Sequence, residues 1–487
     1  MSGASKMFKL EIGIYWLVLL GFVLFNFLLI IFMIFKEHRK PYSIMVWTLV
    51  ILLLPIFGFF LYLLIGKGPS LKNRKRFYIK MQSDTKLAKF LQRNIKEFNK
   101  TDFFEQNNVK DIIEFNSKYN LAPLAINNDV KIYTDISEQY EDMINDISNA
   151  KKTVNLLYFV YRKDVIGSKL LEVLAQKAKE GVKIKLIVDD IGSLWANRDF
   201  FKPLTESGGE VLRFLAGPWK YLNRNLNFRN HRKMIIIDNE IAYTGGANIG
   251  DEYMNQGEIP WRDTHMRVIG DAVALINLRF LQDYAYVANK DVSNLISDFG
   301  RHDVTKILPM QLISSGPDVV TEEIKQTYIK LIYGAKERIW IQTPYYIPDD
   351  SFADAVATAV RGGVDVRIMI PEIPDKKAVY YATKSYVSDM VKIGAKVYLY
   401  PAFIHSKTLV VDNEIASLGT FNIDIRSFKL HFELTMLMYG KEIVAKMADI
   451  FMNDVNKSAI MDDGYLKIQS RTEKLMQMLM RLFSPLF

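Results

Sequence analysis

The 487-residue chain contains no cysteine. That excludes a disulfide framework, a thiol nucleophile and any Cys-ligated metal. It also suits a reducing compartment. Histidine is scarce, with six in the whole chain. No P-loop or dinucleotide fingerprint occurs, so nothing in the sequence calls for a nucleotide. Negative charge is in deficit: 63 Lys and Arg against 54 Asp and Glu leave a formal charge of +9. Such a balance favours an anionic partner, either nucleic acid or an acidic membrane surface. A long basic stripe with interleaved aromatics is missing, which argues against nucleic acid.

Hydrophobic residues make up 49% of the chain but are unevenly spread. Residues 12–35 and 43–65 carry no charge. At about 1.5 Å rise per residue, each run is long enough to cross a hydrocarbon core of roughly 30 Å. The first run is too long for a signal-peptide core and lacks a small-x-small cleavage site, so it reads as a retained anchor. The short link 36–42 predicts a transmembrane helical hairpin. Tyr15, Trp16, Tyr42 and Trp47 suit the two interfaces. Pro55 and Gly58 predict a kink in the second helix. Lys6 and Lys9, with Lys67, Lys72, Arg74, Lys75, Arg76 and Lys80, outweigh Lys36, Arg39 and Lys40 in the hairpin loop. The positive-inside rule then puts both ends, and the body, in the cytoplasm of a plasma membrane.

Length alone suggests about two to four domains. The sequence reads as an anchor over 1–67, a polar linker over 68–126 and two α/β lobes over 127–295 and 296–487. Leu87, Phe90, Leu91 and Phe98 share one helical face in the linker. Residues 154–160 read as a strand, followed by a helix to Glu180 and a strand over 181–188. The second lobe repeats this with a strand at 338–343, a helix at 352–361 and a strand at 363–370. Such alternation implies a largely buried sheet with helices on its faces. At the C-terminus Leu475, Met478, Leu479, Leu482 and Phe483 fall at helical spacing, which suits either packing on the body or a helix lying in a membrane interface.

One segment is written twice. His231-Arg-Lys233-Met-Ile-Ile-Ile-Asp238-Asn-Glu-Ile-Ala recurs as His405-Ser-Lys407-Thr-Leu-Val-Val-Asp412-Asn-Glu-Ile-Ala, and 10 of 19 positions match between 231–249 and 405–423. Gly245 and Asn248 match Gly419 and Asn422. Side chains at i and i+2 of a strand share a face, so each His projects beside its Lys. Asp238 and Asp412 have opposite parity and adjoin the turn, where they are expected to hold backbone or cations. The glycines are expected to admit a ligand close to the backbone. A single His-x-Lys is more often an exposed strand edge; duplication with matched Gly and Asn reverses that. His38 and His302 read as solvated, while His265 and His431 do not repeat the lysine spacing. Two imidazoles, two ammonium groups and two amides make an anion site fit for a phosphodiester. One histidine can attack phosphorus while the other protonates the leaving oxygen, and the lysines and asparagines hold the remaining oxygens.

The paired H-x-K-x-x-x-x-D motifs with following Gly and Asn resemble the phospholipase D superfamily over about 127–487. With the N-terminal hairpin and the Phe-Ser-Pro-Leu ending, the whole chain resembles its bacterial cardiolipin-forming branch. The resemblance implies two α/β lobes about a pseudo-twofold axis and a phosphohistidine intermediate, with no cofactor and no obligatory metal. It makes His231 and His405 the nucleophile/acid pair, with His231 as nucleophile by family tendency and the reverse assignment left open by the symmetry of the two motifs. Lys233, Lys407, Asn248 and Asn422 become phosphate-binding positions, and Asp238 and Asp412 complete the motif. Asp263 and Glu433 match the carboxylates that orient the histidines. The expected activity is transfer of a phosphatidyl group between two phosphatidylglycerols, giving cardiolipin and glycerol. A hydrolase, a transferase with another acceptor alcohol, and a membrane-tethered nuclease are the alternatives. The loop Gly217-Pro-Trp219-Lys220-Tyr221-Leu-Asn-Arg224 could shield or bind lipid, or be plain surface. Expected partners are phosphatidylglycerol and the anionic membrane, not nucleic acid; homo-oligomerisation stays open.

Overall fold

A computed structural model describes residues 3–36, 41–62, 107–216, 227–254, 257, 259–290, 292, 304–319 and 321–486. The hairpin loop, most of the polar linker with its Leu87–Phe98 face, the 217–224 loop, His38 and His302 lie outside the described residues. The chain divides into two compact units, 1–70 with 216–227, and 71–215 with 228–487.

In the first unit, α1 (Gly3–Lys36) contains Gly13–Phe32, a stretch long and apolar enough to cross a membrane. The second run does not form one kinked helix as expected. It breaks into α2 (Pro41–Leu53) and α3 (Pro55–Leu61), with Leu54 at φ −128°, ψ 70°. Pro55 offers no N–H and pushes the preceding residue out of the helical region, so the helix stops and restarts. Phe25 on α1 meets Phe59 on α3 edge to face at 5.0 Å. Gly58 matters here: a Cβ would sit 2.6 Å from the Val50 carbonyl oxygen.

The second unit is mixed α/β. Helix α4 (Asn107–Tyr119) escaped the sequence reading and buries Val109, Ile112 and Ile113 in the core. The first half runs β1 (Leu124–Tyr133), α5 (Ile136–Ser148), β2 (Thr153–Tyr158), α6 (Val165–Lys179), β3 (Lys183–Asp189), β4 (Glu210–Phe214), β5 (Arg229–Asn230), β6 (Met234–Ile237), β7 (Ile241–Gly245), β8 (Trp261–Arg262), β9 (His265–Gly270) and α7 (Asp271–Ala288). The second runs β10 (Ile307–Ser315), α8 (Glu323–Gly334), β11 (Arg338–Gln342), β12 (Tyr346–Ile347), α9 (Asp350–Arg361), β13 (Asp365–Pro371), α10 (Lys377–Lys392), β14 (Lys396–Tyr400), β15 (Phe403–Ile404), β16 (Thr408–Val411), β17 (Ile415–Gly419), β18 (Ile423–Asp424), β19 (His431–Tyr439), α11 (Lys441–Val455), β20 (Ala459–Met461) and α12 (Arg471–Leu482). Local chemistry sets the boundaries. Asp164 caps α6 by accepting from Gly167 N, and Asp349 caps α9 by accepting from Phe352 N. Gly181 (φ +92°) and Gly363 (φ +87°) then turn each chain into the following strand.

One sheet joins the halves, in the order β20-β14-β13-β11-β16-β17-β19-β10-β1-β9-β7-β6-β2-β3-β4. The seam is the antiparallel pair β1–β10, registered Leu124 to Gln311. Reading outward from it, β9-β7-β6-β2-β3-β4 on one side corresponds to β19-β17-β16-β11-β13-β14 on the other. The core beneath is also shared, since Met266, Val268 and Phe280 cluster with Met436, Met438 and Phe451. Each His-x-Lys segment leads into the third strand from the seam strand of its half, β6 or β16.

Candidate active site

The two histidines are held by backbone from the opposite half. Strand β5 runs parallel to the start of β19, and His231 N donates to Phe432 O at 2.9 Å. Strand β8 pairs likewise with β15, and His405 N donates to Arg262 O at 2.7 Å. The carboxylates cross in the same sense. His231 Nδ1 lies 3.1 Å from Glu433, and His405 Nδ1 lies 2.6 Å from Asp263. A carboxylate at Nδ1 keeps the proton on that nitrogen and leaves the Nε2 lone pair for chemistry. Glu433 also accepts from Ser427 Oγ at 2.9 Å and from Thr420 Oγ1; Asp263 accepts from Thr264 N at 2.7 Å.

Lys233 and Lys407 are both buried, and each Nζ donates to its own His carbonyl, Lys233 at 2.7 Å. Burial, then repulsion from Lys407, pushes the Lys233 ammonium down to about 7. Burial pushes Lys407 down to about 8, against the pull of Asp263 and Glu433. Burial and the neighbouring lysines likewise lower both histidines, His405 to about 4. Burial raises Asp263, yet His405 and Lys407 outweigh it and hold the carboxyl below the ordinary range. Two lysines and two histidines thus crowd together, and an anion placed among them would favour their protonated forms.

The asparagines differ between halves. Asn248 donates to Tyr253 OH at 2.6 Å and accepts from Val160 N at 3.1 Å. Asn422 is buried, and its Oδ1 has no partner among the described residues. The motif aspartates are not brought to the cluster. Asp238 accepts from the backbone N–H groups of Lys151, Lys152 and Thr153 at 2.7–2.8 Å. Asp412 accepts from those of Lys336, Glu337 and Arg338. Their opposite parity and a left-handed turn (φ 52° and 49°) point them at the preceding segment, so motif membership alone misplaces them. The glycines also serve packing rather than a ligand. A Cβ on Gly245 would meet His265 Cα at 2.6 Å, and one on Gly419 would meet Leu434 O at 2.4 Å.

Three aromatic neighbours escaped the sequence reading. The Phe159 ring lies 4.9 Å from that of His231, Trp261 lies 5.2 Å from His405, and His431 lies 5.7 Å from His231. His431 is largely enclosed beside Glu433, and desolvation pushes it to about 3. Trp261 and His431 each stand two residues before a carboxylate. Strand spacing from Asp263 and Glu433 therefore carried the signal. Behind the motifs, Arg232 forms a fully buried bidentate pair with Asp283 at 2.8 and 2.9 Å. The second copy has Ser406 there, and Arg262 from the first half reaches Ser406 at 2.8 Å and Asp454 at 2.7 Å.

Residues 143–260 and 328–455 match a family model described as the cardiolipin synthase, phospholipase D-like domain; residues 24–67 match a phospholipase D-nuclease N-terminal model. The chain is 41% identical to the major cardiolipin synthase of Bacillus subtilis over 89% of its length and 91% of that protein. It is 40% identical to the cardiolipin synthase of Oceanobacillus iheyensis over 96% and 98%, and 37% identical to that of Staphylococcus aureus over 96% of both. The crystal structure of the Haemophilus influenzae phosphatidylserine synthase superposes with a TM-score of 0.59, at 16% identity, over 77% of this chain and 98% of that one. That last likeness concerns the fold.

Proposed function

The chain belongs to the phospholipase D-like cardiolipin synthase family, and from that membership we propose that it transfers a phosphatidyl group between two phosphatidylglycerols. The observation that carries the reading is the crossed pair His231–Glu433 and His405–Asp263, two imidazoles with free Nε2 atoms flanking four cationic or amide groups. His231 Nε2 attacks phosphorus of the first lipid. The P–O bond to the headgroup glycerol breaks, and His405 gives that oxygen its proton. The terminal hydroxyl of a second lipid then attacks the phosphohistidine while His405 takes back a proton. The N–P bond breaks and cardiolipin leaves. Lys233, Lys407, Asn248 and Asn422 hold the non-bridging oxygens, whose charge is greatest in the transition state. Matching strand orders on either side of the seam support a pseudo-twofold relation between two lobes, each giving half the site. Apolar α1, followed by α2 and α3, supports a membrane-embedded anchor crossing twice, and the excess of Lys and Arg flanking the apolar runs supports a catalytic body on the cytoplasmic side.

The test is the purified protein reconstituted with phosphatidylglycerol as sole lipid, with products followed by mass spectrometry. Cardiolipin plus glycerol is expected, and neither should form with His231→Ala or His405→Ala. Phosphatidic acid without cardiolipin would instead identify a hydrolase.

A further inference from the structure

Helix α12 is amphipathic the wrong way round for a soluble protein. A surface helix ordinarily buries its apolar stripe and shows its polar one. Here the polar side is the one docked. Glu473 pairs with Lys384 of α10, Arg481 pairs with Asp389 and lies 4.4 Å over the Tyr386 ring, and Gln477 is buried between them. Ser470 caps the helix by accepting from Glu473 N at 3.1 Å. These bonds fix its rotation. The outward face therefore carries Leu475 (52% exposed), Met478 (60%), Leu479 and Leu482 (75%), continued by Phe483. Preceding it, Ile468 stands 82% exposed. Exposed Lys467, Arg471 and Lys474 lie beside this row at its N-terminal end.

An apolar row fixed towards water is a liability unless something apolar covers it. We propose that α12 is a membrane-contact surface whose Leu475, Met478, Leu479 and Leu482 enter the interface of an anionic bilayer. Lys467, Arg471 and Lys474 then meet lipid phosphates, in the manner of a basic-flanked interfacial helix. The occupant is argued from that charge complementarity and from α1. A chain carrying a membrane-length apolar helix holds its other surfaces at high effective concentration near lipid. Ion pairs to α10 make α12 a rigid part of the body. Its insertion therefore couples the depth of the whole catalytic unit to the lipid surface.

The absence of cysteine makes the test direct. Met478→Cys, Leu482→Cys and, as control at an exposed position of α11, Lys446→Cys would each carry one environment-sensitive fluorophore in the full-length protein. Each is reconstituted in vesicles of phosphatidylglycerol with phosphatidylcholine, or of phosphatidylcholine alone, containing nitroxide lipids. Blue-shifted emission and strong quenching at 478 and 482, but not at 446, are expected, and more so with the anionic lipid. Quenching at 478 and 482 no greater than at 446 overturns the proposal. So does a blue shift that appears in detergent and grows with protein concentration, which marks a contact between copies. Leu475→Glu with Leu482→Glu changes only outward side chains. It should leave turnover at saturating phosphatidylglycerol intact while raising the surface mole fraction needed for half-maximal rate about tenfold; an unchanged dependence also counts against the helix.

Discussion

Two ammonium groups stripped of water are the costliest feature of the site at the scale of single residues. Lys233 has a folded pKa near 7 against an ordinary value near 10.5, so folding expels a proton between those limits. With a depressed base the sign is fixed. The destabilisation is complete below about pH 7 and fades as pH rises towards 10.5. Lys233→Met is therefore expected to abolish turnover yet stabilise the protein by about 1–3 kcal/mol. The gain should be greatest near pH 6 and shrink by pH 10, as thermal melts in detergent would show; a destabilised variant at pH 6 contradicts it. The crossed carboxylates give a second expectation. Asp263→Asn and Glu433→Gln should each lower kcat by roughly 10²–10⁴ by losing the fixed tautomer of the histidine in the opposite half. Loss of binding without loss of kcat would deny them that role. The His, Lys and Asn positions were legible because the motif is written twice. The carboxylates Asp263 and Glu433 followed from the family resemblance, but which serves which histidine was not legible, because a repeat says which residues match and not which half faces which.

At the scale of elements, the motif aspartates act as staples between a turn and the segment before its neighbouring strand. Asp238→Asn keeps a side chain that tolerates the left-handed turn but removes a carboxylate from three backbone donors. The expected result is a loss of about 1–3 kcal/mol in stability with near-normal turnover per folded molecule. A variant of native stability with lost turnover would return Asp238 to the chemistry. Long elements such as β3 and α9 were legible from apolar periodicity, and Pro55 signalled an interruption. The two-residue strands β5, β8 and β15 were not. Two residues carry no period, and their pairing partners lie about 140–200 positions away.

At the scale of the molecule, the halves share a sheet and a core, so neither buries its surfaces alone. Cutting the chain within 293–303 and producing the parts separately is expected to give insoluble or inactive products. Producing them together should restore an active complex that purifies as one species; an active single half would refute this. The α/β class and its duplication were readable from alternating strands and helices. The seam β1–β10 was not, because which strand edges abut is decided by burial of surfaces distant in sequence.

The crossed bonding between histidines and carboxylates has a consequence for synthesis. The ribosome releases His231 some 200 residues before Glu433. Until the second half closes, the first histidine has neither its orienting carboxylate nor the backbone carbonyl of Phe432. A nascent chain that still lacks its second half is thus expected to be chemically silent towards lipid. Reactivity begins only when β19 is laid down, so completion of the fold is itself the safety catch.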